Sequence, residues 1–368
     1  MTGPAVPRAI IILSSTPPRM GLSPGSAGAL ELVMPKLFPI LAALAGLTLS
    51  GAALAAPAPL KIVARIAGPD GGWDYASYDK ARSRIYVAHG QQVSAIDIAT
   101  GVLTPHFAAG DHLHAVLPIP GSDLILTTNS GDNTARILKG DGTLIASVPT
   151  AKDPDAAIYD PANGLVYVMG GDSGIVTFVD PKAAKAVGSI TVGGALEFPQ
   201  LDGHGRLFIN REDKNDIAVV SLKSRKVLKF YPMPGCQAPT GLALVTGGRL
   251  ISACANGVAK ILDVATGKEI ASLKIGARPD AVLYDAGRNV AYIPSGLSGT
   301  LSVIALTGPT NNQVVETAAT AVGARTGAID TGTGRIYLPS AQYLPPAAPG
   351  QRPQTKPGTF EVLVLDRP

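Results

Sequence analysis

Residues 157–168 read Ala-Ile-Tyr-Asp, Pro-Ala-Asn-Gly and Leu-Val-Tyr-Val, which is a short apolar strand, a turn and a second strand. A third strand signal, Phe178-Val179-Asp180, follows. The same order of strand and turn occurs twice more, at Ser77–Asp79, Arg84–Val87 and Ala95–Asp97, and at Leu283–Asp285, Val290–Ile293 and Leu301–Ile304. A repeated order of this kind indicates an architecture built from copies of one small unit.

The position of Asp160 serves as a landmark for the whole series. Equivalent positions fall 40 to 45 residues apart, at Asp79, Ile119, Asp160, Asp202, Val245, Asp285 and Asp330. Each interval holds short β-rich runs separated by Gly, Asn, Asp or Pro and shows no helical period. About four strands in a unit of about 40 residues is typical of a propeller blade.

The sequence therefore predicts an all-β fold, a single seven-bladed β-propeller over residues 56–368. A two-sheet sandwich is the alternative, but it gives no reason for such regular spacing. The last unit stops at residues 360–366, where other units continue into a fourth strand, and residues 60–68 resemble that missing strand. We expect this N-terminal strand to complete the last blade, close the ring and remove two sheet edges.

Composition excludes several other classes of protein. The 368 residues include 42 Gly and 31 Pro, are 46% hydrophobic and only 16% charged. So much turn chemistry argues against a helical bundle, and the hydrophobic fraction is too high for a disordered chain. One Trp and two Cys exclude a disulfide-dense scaffold and argue against a pyrroloquinoline quinone dehydrogenase.

The N-terminal region predicts export. Residues 34–55 combine Met-Pro-Lys, an apolar run and Ala53-Leu54-Ala55, which is the pattern of a secretory signal peptide, and we interpret residues 1–33 as an over-extended start or a long n-region. Removing Arg8, Arg19, Lys36 and Glu31 from 31 basic and 27 acidic residues leaves a net charge of +2. We expect a periplasmic or secreted monomer with no membrane span and no overall charge suited to nucleic acid.

Short strands ending in a Tyr-Val-x-Asn-like pattern recur along the chain, at Tyr86–His89, Leu126–Asn129, Tyr167–Gly170, Phe208–Arg211, Tyr292–Ser295 and Tyr337–Ser340. Asp97-Ile-Ala-Thr-Gly101, Asp263-Val-Ala-Thr-Gly267 and Pro279-Asp280-Ala281 accompany them. Over residues 60–366 the chain resembles the YVTN repeat β-propellers of the YncE type, including their periplasmic bacterial members. That resemblance implies a non-catalytic binding protein, with single-stranded DNA as one candidate partner.

The repeat also predicts a functional site without reference to any family. Five residues before each landmark, the chain enters the innermost strand, so these positions should surround one mouth of a central channel. All seven are polar: Asp74, His114, Asp155, Glu197, Thr240, Asp280 and Arg325. Asp155 and Asp280 both lie in Pro-Asp-Ala, where Asp often caps a turn, whereas His114, Glu197 and Arg325 depart from any repeat.

Two chemistries remain open for these positions. Their carboxylates suit a hard cation such as Ca²⁺, although they are spread over several units and Arg325 would repel a cation. His112 and His114 have a spacing that zinc can use, but the sequence places no third ligand. We predict no cofactor, keep a divalent metal as the weaker alternative, and favour a small ligand, a peptide or a protein partner.

Other local features have simpler interpretations. Cys236 and Cys254 lie 18 residues apart, and in an oxidising compartment we expect them to form a disulfide. The basic tract Lys223–Lys229, with Phe208, Phe230 and Tyr231 as stacking candidates, favours either a protected sheet edge or a phosphate-binding surface. Residues 341–359 are Pro-rich and predict an extended loop.

Two function classes follow from the sequence. The first is an exported, non-catalytic binding or scaffolding propeller that uses the polar channel mouth, with single-stranded DNA as a sub-hypothesis. The second is a periplasmic enzyme, such as a metal-assisted hydrolase, lactonase or lyase, with His114 as acid or base and Glu197 or Asp74 in support. The absence of a compact nucleophile or metal motif favours binding over catalysis.

Overall fold

The structure, a computed structural model, describes residues 58–308, 310–346 and 353–367. Regular structure within these ranges is all β apart from one 3₁₀ turn at Glu212–Lys214. No helix in them is long and apolar enough to cross a membrane. The predicted signal peptide, residues 34–55, lies outside the described residues, as do residues 1–33 and the centre of the Pro-rich loop.

The strands of the described ranges are, in chain order, β1 (Lys61–Ala67), β2 (Ala76–Asp79), β3 (Arg84–Asp97), β4 (Leu103–Pro118), β5 (Leu124–Asn129), β6 (Thr134–Lys139), β7 (Leu144–Pro149), β8 (Pro154–Asp160), β9 (Leu165–Gly170), β10 (Ile175–Asp180), β11 (Lys185–Thr191), β12 (Leu196–Leu201), β13 (Arg206–Arg211), β14 (Asp216–Ser221), β15 (Lys226–Pro232), β16 (Pro239–Val245), β17 (Arg249–Cys254), β18 (Val258–Asp263), β19 (Glu269–Lys274), β20 (Leu283–Asp285), β21 (Val290–Ser295), β22 (Thr300–Leu306), β23 (Asn312–Ala319), β24 (Ala328–Ile329), β25 (Ile336–Ser340) and β26 (Glu361–Asp366).

These strands form a β-propeller of six blades, each blade being one hydrogen-bonded antiparallel sheet. Four sheets are consecutive quartets, β8–β11, β12–β15, β16–β19 and β20–β23. A fifth has the order β1-β26-β25-β24, and the sixth is a six-stranded sheet running from β2 to β7. The predicted all-β propeller architecture is therefore correct in class.

The predicted number of seven blades is wrong. The first two repeat units share the six-stranded sheet, because β3 and β4 are long and remain paired where a loop between units was expected. Gln92 pairs with Ala109 and Gly90 with Leu113, so the hydrogen bonding continues on both sides of Gly110. The sequence spacing indicates two repeat units in this region, whereas the strands of both units, β2 to β7, belong to one hydrogen-bonded sheet.

The N-terminal strand β1 lies antiparallel to β26, with a register from Lys61 opposite Asp366 to Ala67 opposite Glu361. The structure does not support the predicted closure of a seven-bladed ring by this strand, because the sheets number six. Strand β1 pairs with β26 and forms the outer edge of the sheet that also contains β25 and β24.

The hydrophobic core lies between neighbouring sheets. In most sheets the two middle strands are almost completely buried, as in β9, β13 and β17. Tyr167, Met169 and Phe178 from one sheet pack with Leu207 and Ile209 from the next. Burying aromatic and branched side chains in this way supplies the main stabilising free energy and holds the sheets in fixed relative positions.

The disulfide predicted between Cys236 and Cys254 is confirmed. The two Cα atoms are 5.4 Å apart, and the bond ties the loop before β16 to the end of β17. Both residues are buried, Cys236 at 4% exposure and Cys254 at 0%. A buried disulfide fits an oxidising compartment.

Innermost strands from adjacent units contact one another around a central axis. The contacts run in chain order through β2, β4, β8, β12, β16, β20 and β24, and β24 returns to β2. The six-stranded sheet contributes both β2 and the second half of β4 to this set. These innermost strands, including the second half of β4, therefore lie side by side, although they are far apart in the sequence.

Candidate functional site

Six of the seven sequence-predicted positions lie at or just before the start of an innermost strand, and the seventh lies in the second half of β4. His114 lies within β4, while Asp155, Glu197 and Thr240 are second residues of their strands. Asp74, Asp280 and Arg325 precede β2, β20 and β24 by two or three residues. We refer to these seven residues as the channel-mouth set. Whether they bind a ligand stays a prediction.

His114 is the centre of one half of this set. Its Nδ1 lies 2.7 Å from Oδ2 of Asp74 and 3.7 Å from Oδ1 of Asp155. Its Nε2 lies 3.1 Å from Oγ of Ser130 and 3.9 Å from Oδ1 of Asp153. Both ring nitrogens thus face polar partners, which fixes the orientation of the imidazole. Burial acts to lower the pKa of His114, but the hydrogen bond and charge of Asp74 outweigh it and raise the pKa.

Hydrogen bonds to backbone carbonyls hold Asp74, His114 and Asp155 in place. The amide of Tyr75 donates to the carbonyl of His114 at 3.0 Å, which joins the first two innermost strands. Thr326 Oγ1 donates to the carbonyl of Asp74 at 2.7 Å, and Thr128 Oγ1 donates to the carbonyl of Asp155 at 2.6 Å. The side chains therefore project from a rigid frame.

Asp155 and Glu197 form a carboxylate cluster beside the buried Tyr75. The Tyr75 hydroxyl donates a hydrogen bond to Oε2 of Glu197 at 3.1 Å. Oδ1 of Asp155 is buried and has no hydrogen-bond partner among the residues that the structure describes. Burial raises the pKa values of Asp155 and Glu197 well above their usual range, and the neighbouring carboxylates raise them further.

Arg325 lies in the other half of the set. Its Nε donates to Oδ2 of Asp280 at 2.9 Å, and an NH2 group donates to the carbonyl of Trp73 at 2.8 Å. The guanidinium also lies 5.7 Å from the centre of the Trp73 ring. Burial raises the pKa of Asp280 to about 6 against the opposing charge of Arg325. Thr240 donates to the carbonyl of Pro279 at 3.0 Å and acts as a structural neighbour of this pair.

Three residues at the site escaped prediction from sequence. Asp153 lies just before β8 with a left-handed backbone (φ 58°), so strand alternation gives no signal for it. Tyr75 follows Asp74, and its place in the centre depends on how the strands pack together. Ser130 lies in the turn after β5, where nothing in the repeat marks it.

Glu197→Gln is expected to stabilise the ligand-free protein, and the gain should grow with pH. A carboxyl whose folded-state pKa is raised holds its proton to higher pH than the unfolded chain does, so stability is lost as pH rises above the ordinary Glu value. Gln cannot ionise and escapes that loss. Urea unfolding should show a difference between variant and wild type that increases above pH 4.5, by up to about 1.4 kcal/mol per pH unit.

The buried His89 also makes the free energy of unfolding depend on pH. Both proteins contain it, so its contribution cancels in the difference between variant and wild type. Burial lowers the pKa of His89 to about 4, so this residue makes the folded state less stable as pH falls below 6.5. Glu269→Gln, on the outer strand β19, is the comparison variant: it removes the carboxylate partner of the buried Lys260 at 3.0 Å and should therefore not stabilise the protein. A Glu197→Gln difference that is flat between pH 5 and pH 8 would contradict the electrostatics described above.

Comparisons with known proteins show the fold alone. No family model matches the chain, and no curated protein matches it. Among solved structures, the Kuenenia stuttgartiensis hydrazine synthase contains a similar β-propeller chain, with TM-score 0.65 and 12% identity over 73% of this chain and 92% of that chain. A chain in the crystal structure of the mitotic checkpoint complex has TM-score 0.68 and 10% identity over 92% of this chain and 98% of its own.

Proposed function

We propose that this protein is an exported, non-catalytic binding propeller that holds a positively charged ligand or partner at the mouth of its central channel. A binding or scaffolding role agrees with the propeller fold. The observation that carries the proposal is an excess of carboxylates at the channel mouth. Asp74, Asp153, Asp155, Glu197 and Asp280 contribute carboxyl groups there, against the cationic groups of Arg325 and His114.

The contacts at the channel mouth show which carboxylates lack a close cationic partner. Arg325 is engaged by Asp280, and His114 makes its shortest contact with Asp74. Asp155 lies 3.7 Å from the same imidazole, and Glu197 has only the neutral Tyr75 hydroxyl as a hydrogen-bond partner. Partly buried carboxylates without a counter-ion are costly, so binding a cation would stabilise the folded protein.

The resemblances support this class of function. The YncE-type pattern agrees with an exported binding propeller. One structural neighbour belongs to a multi-protein assembly, the mitotic checkpoint complex. The other neighbour, the hydrazine synthase, is an enzyme, so the fold by itself does not choose between binding and catalysis.

Single-stranded DNA fits the channel mouth poorly, because carboxylates repel phosphate. The basic tract Lys223–Lys229 is the alternative surface, and two of its three proposed stacking residues are inaccessible. Phe208 is 0% exposed and Tyr231 is 2% exposed, whereas Phe230 is 42% exposed and lies under the guanidinium of Arg211. A surface with one accessible ring lacks the aromatic platform on which bases stack.

One arrangement favours the enzyme alternative. Ser130 Oγ, His114 and Asp74 form a hydrogen-bonded series with separations of 3.1 and 2.7 Å, which is the order of a Ser-His-Asp triad. The surrounding carboxylates would oppose an oxyanion, so the local charge disfavours acyl transfer. A fluorophosphonate probe should leave Ser130 unmodified, and labelling that disappears in Ser130→Ala would establish the enzyme instead.

A thermal-shift panel tests the proposed function. The panel contains spermidine and a Lys-rich peptide as cations, a neutral sugar, and a single-stranded oligonucleotide at low salt. We expect only the cations to raise the Tm of the wild type, and Glu197→Gln to reduce that shift. Asp172→Asn, a change at an exposed residue paired with Lys152, is the control and should respond like the wild type. A shift caused by the oligonucleotide alone would contradict the proposal.

A further inference from the structure

We propose that Asp74, His114 and Asp155 form a binding site for a divalent transition-metal ion, with Zn²⁺ as the ion that fits the donor set. This inference deepens the proposed function and rests on it, since it names one cation and its place within the channel mouth. The three side chains each offer one donor atom, and the donors lie within 4.8 Å of one another. Asp74 lies just before β2, His114 lies in β4, and Asp155 lies in β8.

The donor spacing agrees with a metal centre. An ion about 2.0–2.2 Å from each nitrogen or oxygen donor places those donors roughly 3–4 Å apart. His114 Nδ1 is 3.7 Å from Asp155 Oδ1, which is already that spacing, and 2.7 Å from Asp74 Oδ2, so a small rotation of the Asp74 side chain would complete the arrangement. The unpartnered, buried Oδ1 of Asp155 faces this imidazole and gains a partner when an ion binds.

The surroundings of His114 match those of a metal-binding imidazole. A metal-bound His generally donates its second ring N–H to an oxygen, which sets its orientation. Here Nε2 lies 3.1 Å from Ser130 Oγ, so Nδ1 is left to face Asp74 and Asp155. The hydrogen bonds from Thr326 and Thr128 to the backbone of those two residues hold the donors in position before any ion binds.

Charge and donor type select the ion. Two carboxylates and a neutral imidazole balance a charge of +2. An imidazole nitrogen favours Zn²⁺ and its first-row neighbours, whereas Ca²⁺ takes six to eight oxygen ligands. Arg325 does not prevent binding by direct contact, since Asp280 and the carbonyl of Trp73 engage its guanidinium. Three protein donors leave at least one coordination position for water or for the channel ligand.

Calorimetric titration of the chelator-treated, full-length mature protein with Zn²⁺ tests the site. We expect one Zn²⁺ per chain in the wild type, and binding weakened about tenfold or more in His114→Ala and Asp155→Asn. His112→Ala is the matched imidazole control, since His112 stacks on His114 at 5.2 Å but is outside the donor set, and Asp172→Asn is the carboxylate control. Both controls should bind as the wild type does.

Two results would overturn the metal site: a wild type that does not bind Zn²⁺ stoichiometrically, or a His114→Ala variant that binds it equally well. Circular dichroism checks the fold of each variant, and if His114→Ala does not fold, the isosteric Asp155→Asn decides. If Zn²⁺ fails to bind while spermidine or the peptide still raises the Tm, the metal inference is wrong and the cation-binding function stands. If no cation acts, both are wrong.

Discussion

Arg325→Ala is expected to lower the free energy of unfolding by about 1–3 kcal/mol, the cost of leaving a partly buried charged group without its hydrogen-bond partner. Arg325 forms an ion pair with Asp280 at 2.9 Å, and both side chains are partly buried, at 32% and 20% exposure. The substitution also removes the hydrogen bond to the Trp73 carbonyl and the cation–π contact with that ring. Urea unfolding at pH 7.5 without ligand measures the loss.

Arg335→Ala is the matched control for this prediction. Arg335 and Asp366 form an ion pair of the same 2.9 Å length, but the Arg335 side chain is 46% exposed. Exposed pairs contribute about 0–1 kcal/mol, so this variant should be nearly as stable as the wild type. Equal losses in the two Arg variants would show that the channel mouth is not an unusually charged environment. Asp280→Asn combined with Arg325→Ala should recover part of the lost stability.

Replacing both Cys236 and Cys254 with Ala is expected to cost about 3 kcal/mol, because the bond restricts an 18-residue loop in the unfolded chain. The loss should appear as a lower urea midpoint measured without reductant. Adding reductant to the unfolded wild type and refolding it should reduce its stability to that of the variant. If the oxidised wild type and the double variant unfold at the same urea concentration, the disulfide has no stabilising role.

The repeat spacing predicted the all-β propeller class, because that class depends on local strand and turn signals; the role of the seven channel-mouth residues stays a prediction. The number of sheets could not be read in the same way. It depends on whether backbone hydrogen bonding continues past Gly110, and that is decided by the pairing of β3 with β4. A regular spacing of units therefore does not determine how many sheets they form.

The partners of the predicted residues were also beyond the sequence. Arg325 forms an ion pair with Asp280, which belongs to a different repeat unit. His114 forms a hydrogen bond with Asp74, which lies 40 residues earlier, just before β2. Ser130 enters the site from a turn that carries no repeat signal. Such contacts join separate units, so they depend on the angle and distance between packed strands.

Cation binding at the channel mouth is the central claim, and a calorimetric comparison tests it most directly. Wild type and the Asp155→Asn/Glu197→Gln double variant are each titrated with Zn²⁺ and with spermidine at pH 7.5. We expect the wild type to bind at least one of these cations and the double variant to bind it about tenfold more weakly or not at all. Failure of both cations to bind the wild type, or equal affinity in the double variant, would contradict the account.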